Sequence, residues 1–441
     1  MSNTKKIWKA KGRFTTGFEM EMFTLDKEGH VVYEQDYIIS RAKKYFKDVS
    51  VVKEVGKHMV EVGSQPSSDL RTSFNHILYT LEKTWEVAEK KNLLLYPFAT
   101  YPGEFNPEIN SSFWYDIRKK ILGEEKFKMS GLCLGFHFHF AVPKNIFSRK
   151  KRVIVTLPDK KEQQSFISGY NFLIAADPVV TTFMQSSPYI QGTYLAKDSR
   201  MLFYRGGENL KFNGLYNDFQ IFGGLQSYIY TITDLAKLIQ KRYDLLKSQL
   251  IHWGFDPRLI KKYAKKLDTA WNPVKVNKHG TYEQRGMDMN LPSYCLSVSA
   301  LLQLALKRIV EEHIAVVPSD VGIYRPFKLE GKKLHIPPIS IVQENLQHLS
   351  ATEGLSNIKI LRYCKALVQF AQAGDNQDQK RFMTRISSML SEKKTISDKI
   401  IEKIKSLGFD DSITADAAAT LAEGYAYEFL DDIDYTKALL S

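Results

Sequence analysis

Three short segments of the sequence place carboxylate, imidazole or guanidinium side chains at alternate positions among mostly apolar residues, and a fourth places one carboxylate between two valines. In a β-strand, alternate side chains lie on one face, roughly 6.5–7 Å apart, so each segment predicts a strand with one reactive face. This spacing allows two carboxylates to flank one cation, or to bind two cations about 4 Å apart. The segments are TTGFEMEMFTL (15–25, with Glu19 and Glu21), HMVEVGS (58–64, with Glu61), GLCLGFHFHFAVP (131–143, with His137 and His139) and TYEQRGMDMN (281–290, with Glu283 and Arg285).

The composition of these four faces favours a metal site over an ordinary solvated surface. A solvated strand face usually mixes Thr, Lys, Ser and Glu, whereas these faces combine four carboxylates, two histidines and one arginine without a lysine. Carboxylates packed side by side without cations would repel one another. Oxygen ligands with an imidazole suit Mg2+, with Mn2+ as an alternative, better than they suit Zn2+. We therefore predict a sheet with a polar, magnesium-binding face.

The two histidines are expected to have different roles on this face. His139 lies nearer the Pro143 end of its strand, so one histidine is expected to bind the metal and the other to form a hydrogen bond beside it. His137 is favoured as the ligand, and His139 stays open as the alternative.

The segments between and after these strands predict helices. Asp69 precedes a run of apolar residues at helical spacing, and its side chain is suited to cap that helix. Beyond residue 350 the sequence is rich in lysine and has no strand pattern. The predicted helices cover residues 69–91, about 164–185, about 226–249 and about 295–315, and the chain is expected to be helical from about residue 350.

The bulk composition narrows the class of protein. With 44% hydrophobic and 25% charged residues, the 441-residue chain is typical of a globular protein, and no 18-residue apolar run predicts a membrane span. Three cysteines without CxxC spacing argue against a disulfide framework and fit a reducing, cytoplasmic location. The net charge of +13 is explained by solvated surface lysines, or it indicates an anionic partner such as a nucleotide. Nucleic acid is disfavoured because the basic runs lack interleaved aromatic residues.

Together these motifs resemble the carboxylate–amine ligase family, which includes the type 2 glutamate–cysteine ligases of the glutamine-synthetase-like superfamily. The resemblance extends from about residue 12 to about residue 315, and five motifs follow the order of the family. It implies an α+β fold with a curved, mainly antiparallel sheet flanked by helices. The motifs are TTGFEMEM, HMVEVGSQPSSDL, SGLCLGFHFHFAVP, SSPYIQGTYLAKDSRMLFYR and HGTYEQRGMDMN.

The resemblance implies ATP-dependent formation of a peptide-like bond. A substrate carboxylate, expected to be the γ-carboxylate of glutamate, becomes an acyl phosphate, and an amine then displaces phosphate. Cysteine is the leading candidate for the amine, which would place the reaction in glutathione biosynthesis. Arg285 and Glu283 are expected to be catalytic, with Arg285 contacting the transferred phosphate of ATP, and Arg200 is expected to bind the α-carboxylate of the acid. The positions similar to the family's magnesium ligands are Glu19, Glu21, Glu61, His137 and Glu283.

The resemblance does not cover the whole chain. We expect a catalytic domain over residues 1–345 and a helical C-terminal region of unknown role over residues 346–441. A basic loop at residues 144–162 looks inserted relative to the family. These two departures leave the amine substrate and the role of the C-terminal region open.

Two other functions remain open from the sequence. A magnesium-dependent phosphotransferase acting on a guanidino substrate would use the same metal-binding face. A nucleic-acid-binding protein would rely on the charge of +13 and would not need Glu19 or Glu283. Product analysis separates the first from a ligase, because a ligase requires both an acid and an amine and releases phosphate.

Overall fold

The computed structural model describes residues 12–155, 159–374 and 377–441. The four segments with reactive side chains form strands of one sheet, as predicted. The strands are β1 (Thr16–Leu25), β2 (Ser50–Lys53), β3 (Met59–Gly63), β4 (Leu94–Tyr96), β5 (Gly135–Ala141), β6 (Phe147–Ser148), β7 (Val153–Ile154), β8 (Tyr189–Ile190), β9 (Thr193–Tyr194), β10 (Val274–Val276), β11 (Thr281–Asp288), β12 (Ala315–Pro318), β13 (Lys328–Glu330) and β14 (Lys333–Ile336).

The main sheet has seven strands, and all of its pairings are antiparallel. The strands lie in the order β10-β11-β5-β1-β3-β2, with β4 paired to the end of β1. One face is apolar because alternate residues such as Phe18, Met20, Phe136 and Phe138 are buried against helices. The predicted α+β class, with a mainly antiparallel sheet flanked by helices, is confirmed.

Helices cover the apolar face of the main sheet and form most of the remaining chain. The Asp69 carboxylate accepts a hydrogen bond from the backbone N–H of Thr72 at 2.9 Å, so the predicted cap is confirmed. The helices are α1 (Gln35–Tyr45), α2 (Leu70–Glu89), α3 (Phe113–Leu122), α4 (Glu124–Lys128), α5 (Lys160–Met184), α6 (Ser199–Arg205), α7 (Gln220–Gly223), α8 (Ile232–His252), α9 (Pro257–Tyr263), α10 (Pro292–Glu311), α11 (Asp320–Tyr324), a π-helix (Ile341–Leu346), α12 (Gln347–Glu353), α13 (Ile358–Gln372), α14 (Gln377–Lys380), α15 (Thr384–Glu392), α16 (Ile396–Ser406) and α17 (Ala415–Leu440).

Helix α10 is the central helix of the fold. It packs against α2, α5, α13 and α17. By length and composition alone it is apolar enough to cross a membrane, but 89% of its apolar window is buried inside the protein. Its apolar surface is therefore covered by the other helices.

The C-terminal region is helical, as predicted, and no strand occurs after residue 346 in the part of the chain that the structure describes. Helix α13 packs on α5 and α10, and α17 packs on α2, α10 and β4. Asp432 of α17 accepts hydrogen bonds from Ser293 of α10 and from Arg385 of α15. These contacts join the C-terminal helices to those beneath the main sheet, and a domain boundary between residues 345 and 346 stays a prediction.

The basic segment at residues 144–162 contains the short ribbon β6–β7, and α5 begins inside it at Lys160. Residues 156–158 of this segment lie outside the described residues, as do the N-terminal residues 1–11.

Candidate active site

The polar face of the main sheet collects four of the predicted metal ligands because the strand register pairs them. Glu21 of β1 lies opposite Glu61 of β3, and Glu19 of β1 lies opposite His137 of β5. Their side chains project from the face opposite the buried phenylalanines. Residues more than 110 positions apart in the sequence are thus adjacent in the fold.

Two clusters of candidate ligands lie on this face. In the first cluster (Glu19, Glu61 and His137) and in the second (Glu21, Glu54 and Glu61), one ligand atom from each residue lies within 4.8 Å of the others. Glu61 belongs to both clusters. This arrangement suits two cations that share Glu61 as a common ligand.

The tautomer of His137 is compatible with metal binding. Its Nδ1 lies 2.8 Å from Glu19 Oε2, and because an ionised carboxylate only accepts hydrogen bonds, Nδ1 carries the proton. Burial lowers the pKa of His137 to about 4, so Nε2 keeps its lone pair at neutral pH. Nε2 is buried without a hydrogen-bond partner and lies 3.6 Å from Glu21 Oε1. A divalent cation is the partner that fits this nitrogen and the surrounding carboxylates.

His139 lies on the same face as His137. Among the residues that the structure describes, it belongs to neither of the two ligand clusters. Its Nδ1 is 3.0 Å from Thr281 Oγ1, and its Nε2 is 3.6 Å from Glu19 Oε1. This placement beside a cluster member favours His137 over His139 as the ligand.

The carboxylates of the two clusters are crowded, and this shifts their pKa values. Burial, together with the charge of Glu54, raises the pKa of Glu21 to about 8. Burial and three neighbouring carboxylates raise the pKa of Glu61 well above its usual value. Glu19 differs, because the charges and hydrogen bonds of two histidines outweigh burial and hold its pKa well below that value. Bound cations would favour the ionised form of every member.

Glu283 is held by cations of the protein itself. Its carboxylate lies 3.2 Å from Arg285 Nη1 and 3.4 Å from Lys275 Nζ, and it accepts a hydrogen bond from the Asn277 side chain. Burial opposes its ionisation, but the two cations lower its pKa to about 2. Within the described part of the chain Glu283 belongs to neither cluster, so it is the one predicted ligand that the structure does not bring to them. Its role at the metal stays a prediction.

Strand β11 has a β-bulge at Arg285, the residue that neighbours Glu283 on the polar face of the sheet. The pairing of β11 with β5 shifts register between Gln284 and Met287, and the Arg285 N–H donates instead to the Pro273 carbonyl at 2.8 Å. Bulges commonly re-aim a side chain beside an active site. Here the guanidinium lies beside Glu283, on the face that strand alternation predicts for it.

A cavity of about 210 Å³ opens beside the second cluster. Two indole rings, those of Trp114 and Trp271, form part of its wall. The cavity therefore joins the metal-binding face to a pocket with room for small substrates. The charged groups that line it are the carboxylates of Glu21 and Glu54 and the guanidiniums of Arg118, Arg200 and Arg285.

Two of these arginines form no close ion pair among the described residues, although Arg200 interacts electrostatically with Glu21 and Asp288, and Arg118 with Glu54. Arg118 and Arg200 are each 6% exposed, and neither has a carboxylate within 4.0 Å among the described residues. The Nε atom of each is buried without a hydrogen-bond partner. A buried, unpaired guanidinium is costly unless a ligand completes its contacts, so both residues indicate that anionic groups bind in the cavity.

Each of these two guanidiniums is held in place by its surroundings. Arg200 Nη2 donates to the Arg285 carbonyl at 3.3 Å and lies so close to Gly135 that a Cβ there would be 2.5 Å from it. Arg118 donates to the Tyr216 hydroxyl at 3.0 Å and lies 4.7 Å from the centre of the Trp271 ring. A side chain at position 135 would therefore displace the Arg200 guanidinium.

Sequence patterns missed three of the candidate functional residues, namely Glu54, Arg118 and Lys275. Glu54 follows β2 in a loop, and Arg118 lies in a helix, so neither shares a strand pattern with other reactive residues. Lys275 lies in β10, opposite Glu283, and the alternation Val-Lys-Val was the only signal for it.

Comparison with known proteins bears on the class of this site. The model of glutamate–cysteine ligase family 2 matches residues 15–339. No curated protein matches the sequence.

Solved structures share the fold. The structure is similar to that of glutamate–cysteine ligase from Francisella tularensis in complex with AMP, with a TM-score of 0.58, 12% identity and coverage of 97% of this chain and 94% of that one. It is also similar to a bifunctional glutathione synthetase from Pasteurella multocida, with a TM-score of 0.57, 11% identity and coverage of 95% of this chain. This chain spans 53% of the length of the Pasteurella protein. At these identities the likeness shows the fold alone.

The family model that matches residues 15–339 defines the class of this protein as carboxylate–amine ligases. Because the family model covers most of the chain, from residue 15 to residue 339, the protein belongs to glutamate–cysteine ligase family 2. The resemblance recognised in the sequence motifs is thereby confirmed.

Proposed function

We propose that the protein is a ligase that uses ATP to join the γ-carboxylate of glutamate to an amine, with cysteine as the leading candidate. The γ-carboxylate oxygen attacks the terminal phosphorus of ATP, giving an acyl phosphate and ADP. The amine then attacks the acyl carbon, phosphate leaves, and the amine loses a proton. The observation that carries this proposal is the pair of clusters sharing Glu61 beside a cavity with three arginines.

The two clusters are suited to the phosphate chain of ATP. Mg2+, when bound, supplies charge neutralisation on phosphate oxygens. Glu19, Glu61 and His137 would hold one ion, and Glu21, Glu54 and Glu61 a second. The Francisella ligase was solved in complex with AMP, and this supports an adenine nucleotide as the co-substrate here.

Arg285 is placed to act on the transferred phosphoryl group. Its partner Glu283 anchors one side of the guanidinium at 3.2 Å, while the side chain still lines the cavity. A guanidinium fixed in this way can donate to oxygens whose charge changes during transfer. We therefore assign Arg285 to stabilisation of the transition state.

Arg200 is assigned to the α-carboxylate of the acid. It is buried, forms no ion pair within 4.0 Å among the described residues and lies in the same cavity as Arg285, whose carbonyl it contacts. An acid whose γ-carboxylate lies near Arg285 would present its second carboxylate to Arg200. This geometry supports a dicarboxylic amino acid over a simple acid.

Arg118 supports an amino acid as the amine. The acid already supplies one carboxylate for Arg200 and one for activation, so the Arg118 guanidinium, which forms no close ion pair among the described residues, is available for another anion. An amine that carries its own carboxylate, as cysteine does, provides it. The indole of Trp271 beneath Arg118 would form the wall of this subsite.

An ADP-release assay with independent variation of acid and amine tests the proposal. With Mg2+, ATP and L-glutamate, L-cysteine should give more turnover than cysteamine, which differs only by lacking the carboxylate. Arg118→Met should remove this preference by raising KM for cysteine about tenfold or more. Arg242→Met, which changes another buried arginine outside the cavity, is the matched control and should keep the preference.

The products decide between this function and its alternatives. Phosphate release that needs both glutamate and an amine supports the ligase. ADP formation with the phosphoryl group retained on a guanidino substrate would show a phosphotransferase instead. No ADP release with any acid–amine pair would reject the proposal.

A further inference from the structure

The loop that carries Arg200 contacts the end of strand β11 on one side. This recognition loop, residues 185–200, connects α5 to the start of α6. Ser187 Oγ donates to Asp288 Oδ2 at 2.6 Å and accepts from the Arg200 N–H at 3.3 Å. The position of Arg200 in the cavity therefore depends on how the recognition loop is held.

On its other side, the recognition loop is bonded to the C-terminal region by backbone groups. The Tyr194 N–H donates to the Asp411 carbonyl at 2.8 Å, and the Ile413 N–H donates to the Gly192 carbonyl at 2.9 Å. Near the start of the loop, the Ser397 N–H donates to the Gln185 carbonyl at 3.1 Å. The first two bonds flank an isolated antiparallel β-bridge between Thr193 and Ser412. All three bonds join segments more than 200 residues apart in sequence.

Side chains strengthen the same contact near Arg200. Lys197 Nζ lies 2.6 Å from Asp398 Oδ1, with side chains only 12% and 15% exposed. Ser397 Oγ donates to the Lys197 carbonyl at 2.5 Å. Gly354, with φ at +57°, brings its backbone so close that a Cβ there would lie 3.2 Å from Lys197. Lys197, three residues before Arg200, is thus enclosed by the C-terminal region.

We propose that residues 395–413 are a positioning segment of the active site, which holds the recognition loop and so sets the place of Arg200. This inference rests on the proposed function for the role of Arg200 as the acid-binding residue. It gives the C-terminal region a part in substrate binding although none of the residues that the structure describes there lines the cavity.

The Lys197–Asp398 pair is the contact whose loss should matter most. A mostly buried ion pair that loses one partner leaves an uncompensated charge, so the loop should move away from Asp398. Small displacements of a substrate-positioning residue reduce activity strongly. The loop would then be held only by hydrogen bonds such as those of Tyr194 and of Ser397 Oγ, and these would open more often.

Lys197→Met tests the inference by two readouts. Hydrogen exchange of the full-length protein should be at least about tenfold faster at the amides of Tyr194 and Asp198, which donate to the C-terminal region. KM for L-glutamate should rise roughly five- to tenfold, while KM for ATP should change less than about twofold. Lys197→Arg should retain both wild-type values. Ser397→Ala is the milder variant if Lys197→Met does not fold.

Arg385→Met is the matched control. It breaks the ion pair between Arg385 and Asp432, which lies in the C-terminal region but does not contact the recognition loop. It should lower the melting temperature without changing KM for glutamate or exchange in the loop. Unchanged exchange in Lys197→Met, or an equal rise of KM in Arg385→Met, would overturn the inference. If no acid supports turnover, the proposed function fails, but the exchange data still decide whether the segment holds the loop.

Discussion

The active site has two sides of opposite charge that neutralise each other only in part. On the carboxylate side, burial and like charges raise the pKa of three of the four side chains. On the arginine side, two of the three guanidiniums have no carboxylate within 4.0 Å in the described residues. The difference indicates that one side is built for cations and the other for anions. The carboxylate side consists of Glu19, Glu21, Glu54 and Glu61, and the arginine side of Arg118, Arg200 and Arg285.

A buried ion pair elsewhere in the protein shows what a neutralised arginine looks like. Arg205 forms two bonds with Asp177, at 2.5 and 3.0 Å, and Gln284 donates to the same carboxylate at 2.9 Å. These side chains lie behind β11, and none of them lines the cavity. The contrast supports ligand binding, rather than packing, as the reason for the unpaired arginines.

Glu61→Gln should have the largest effect because Glu61 belongs to both clusters. We expect kcat to fall by about 10²–10³-fold, since one substitution weakens both cation sites. In EDTA at neutral pH, the melting temperature of the same variant should rise, because it lacks a carboxyl group whose ionisation is opposed in the folded state by burial and by neighbouring carboxylates. Steady-state kinetics measure the fall in kcat, and thermal melts in EDTA measure the rise in melting temperature. Glu28→Gln, which changes an exposed carboxylate, is the control. Loss of activity together with lower stability in EDTA would contradict the repulsion on the carboxylate side.

Arg285→Lys should have the next largest effect, on the arginine side. Lysine keeps one charge but loses the planar fork, so kcat should fall by about 10²-fold while KM for ATP changes little. Kinetics and melting temperature together check this. A variant that is less stable but has nearly normal kcat would mean that Arg285 only neutralises Glu283.

Arg200→Lys should act on binding of the acid rather than on the chemical step. We expect KM for glutamate to rise about tenfold with a smaller change in kcat. The reason is that lysine donates fewer hydrogen bonds than arginine to the α-carboxylate of glutamate. Steady-state kinetics with varied glutamate measure this. If KM for the amine rises instead, the roles of Arg200 and Arg118 are exchanged.

The smallest predicted effect is a pH dependence of stability. A carboxyl group whose pKa is raised by folding stabilises the protein at low pH, and this stabilisation is lost as the pH rises through the folded-state pKa. For Glu21, whose pKa is about 8, the free energy of unfolding in EDTA should fall from pH 6.5 to 8, by up to about 1.4 kcal/mol per pH unit. The buried histidines, such as His137, act in the opposite direction only below pH 6.5.

Urea unfolding at several pH values, with and without Mg2+, measures this dependence. Mg2+ should reduce the fall, because cations bind the ionised carboxylates. A stability that rises from pH 6.5 to 8 in EDTA would contradict the raised pKa values.

Much of the fold and half of the site could be predicted from the sequence. Alternation in β1, β3 and β5 predicts which side chains share a face, because a strand has a period of two residues. It therefore predicted that Glu19, Glu21, Glu61 and His137 face the same way. The register that makes Glu61 common to both clusters depends on pairing between distant strands, which local patterns do not specify.

The other half of the site depends on tertiary packing. Glu54 enters the second cluster from a loop, and Arg118 reaches the cavity from a helix, so each is a single charge with no periodic partner. The contact of the recognition loop with residues 395–413 joins segments that the sequence pattern would assign to different regions. Such positions are fixed by the assembled fold.

Anomalous diffraction from crystals grown with Mn2+ and a non-hydrolysable ATP analogue tests the central claim most directly, because Mn2+ can substitute for Mg2+ and its position can be located. We predict two manganese peaks, one at Glu19, Glu61 and His137 and one at Glu21, Glu54 and Glu61, both weakened in Glu61→Gln. Bound nucleotide with no manganese at these carboxylates would contradict the account.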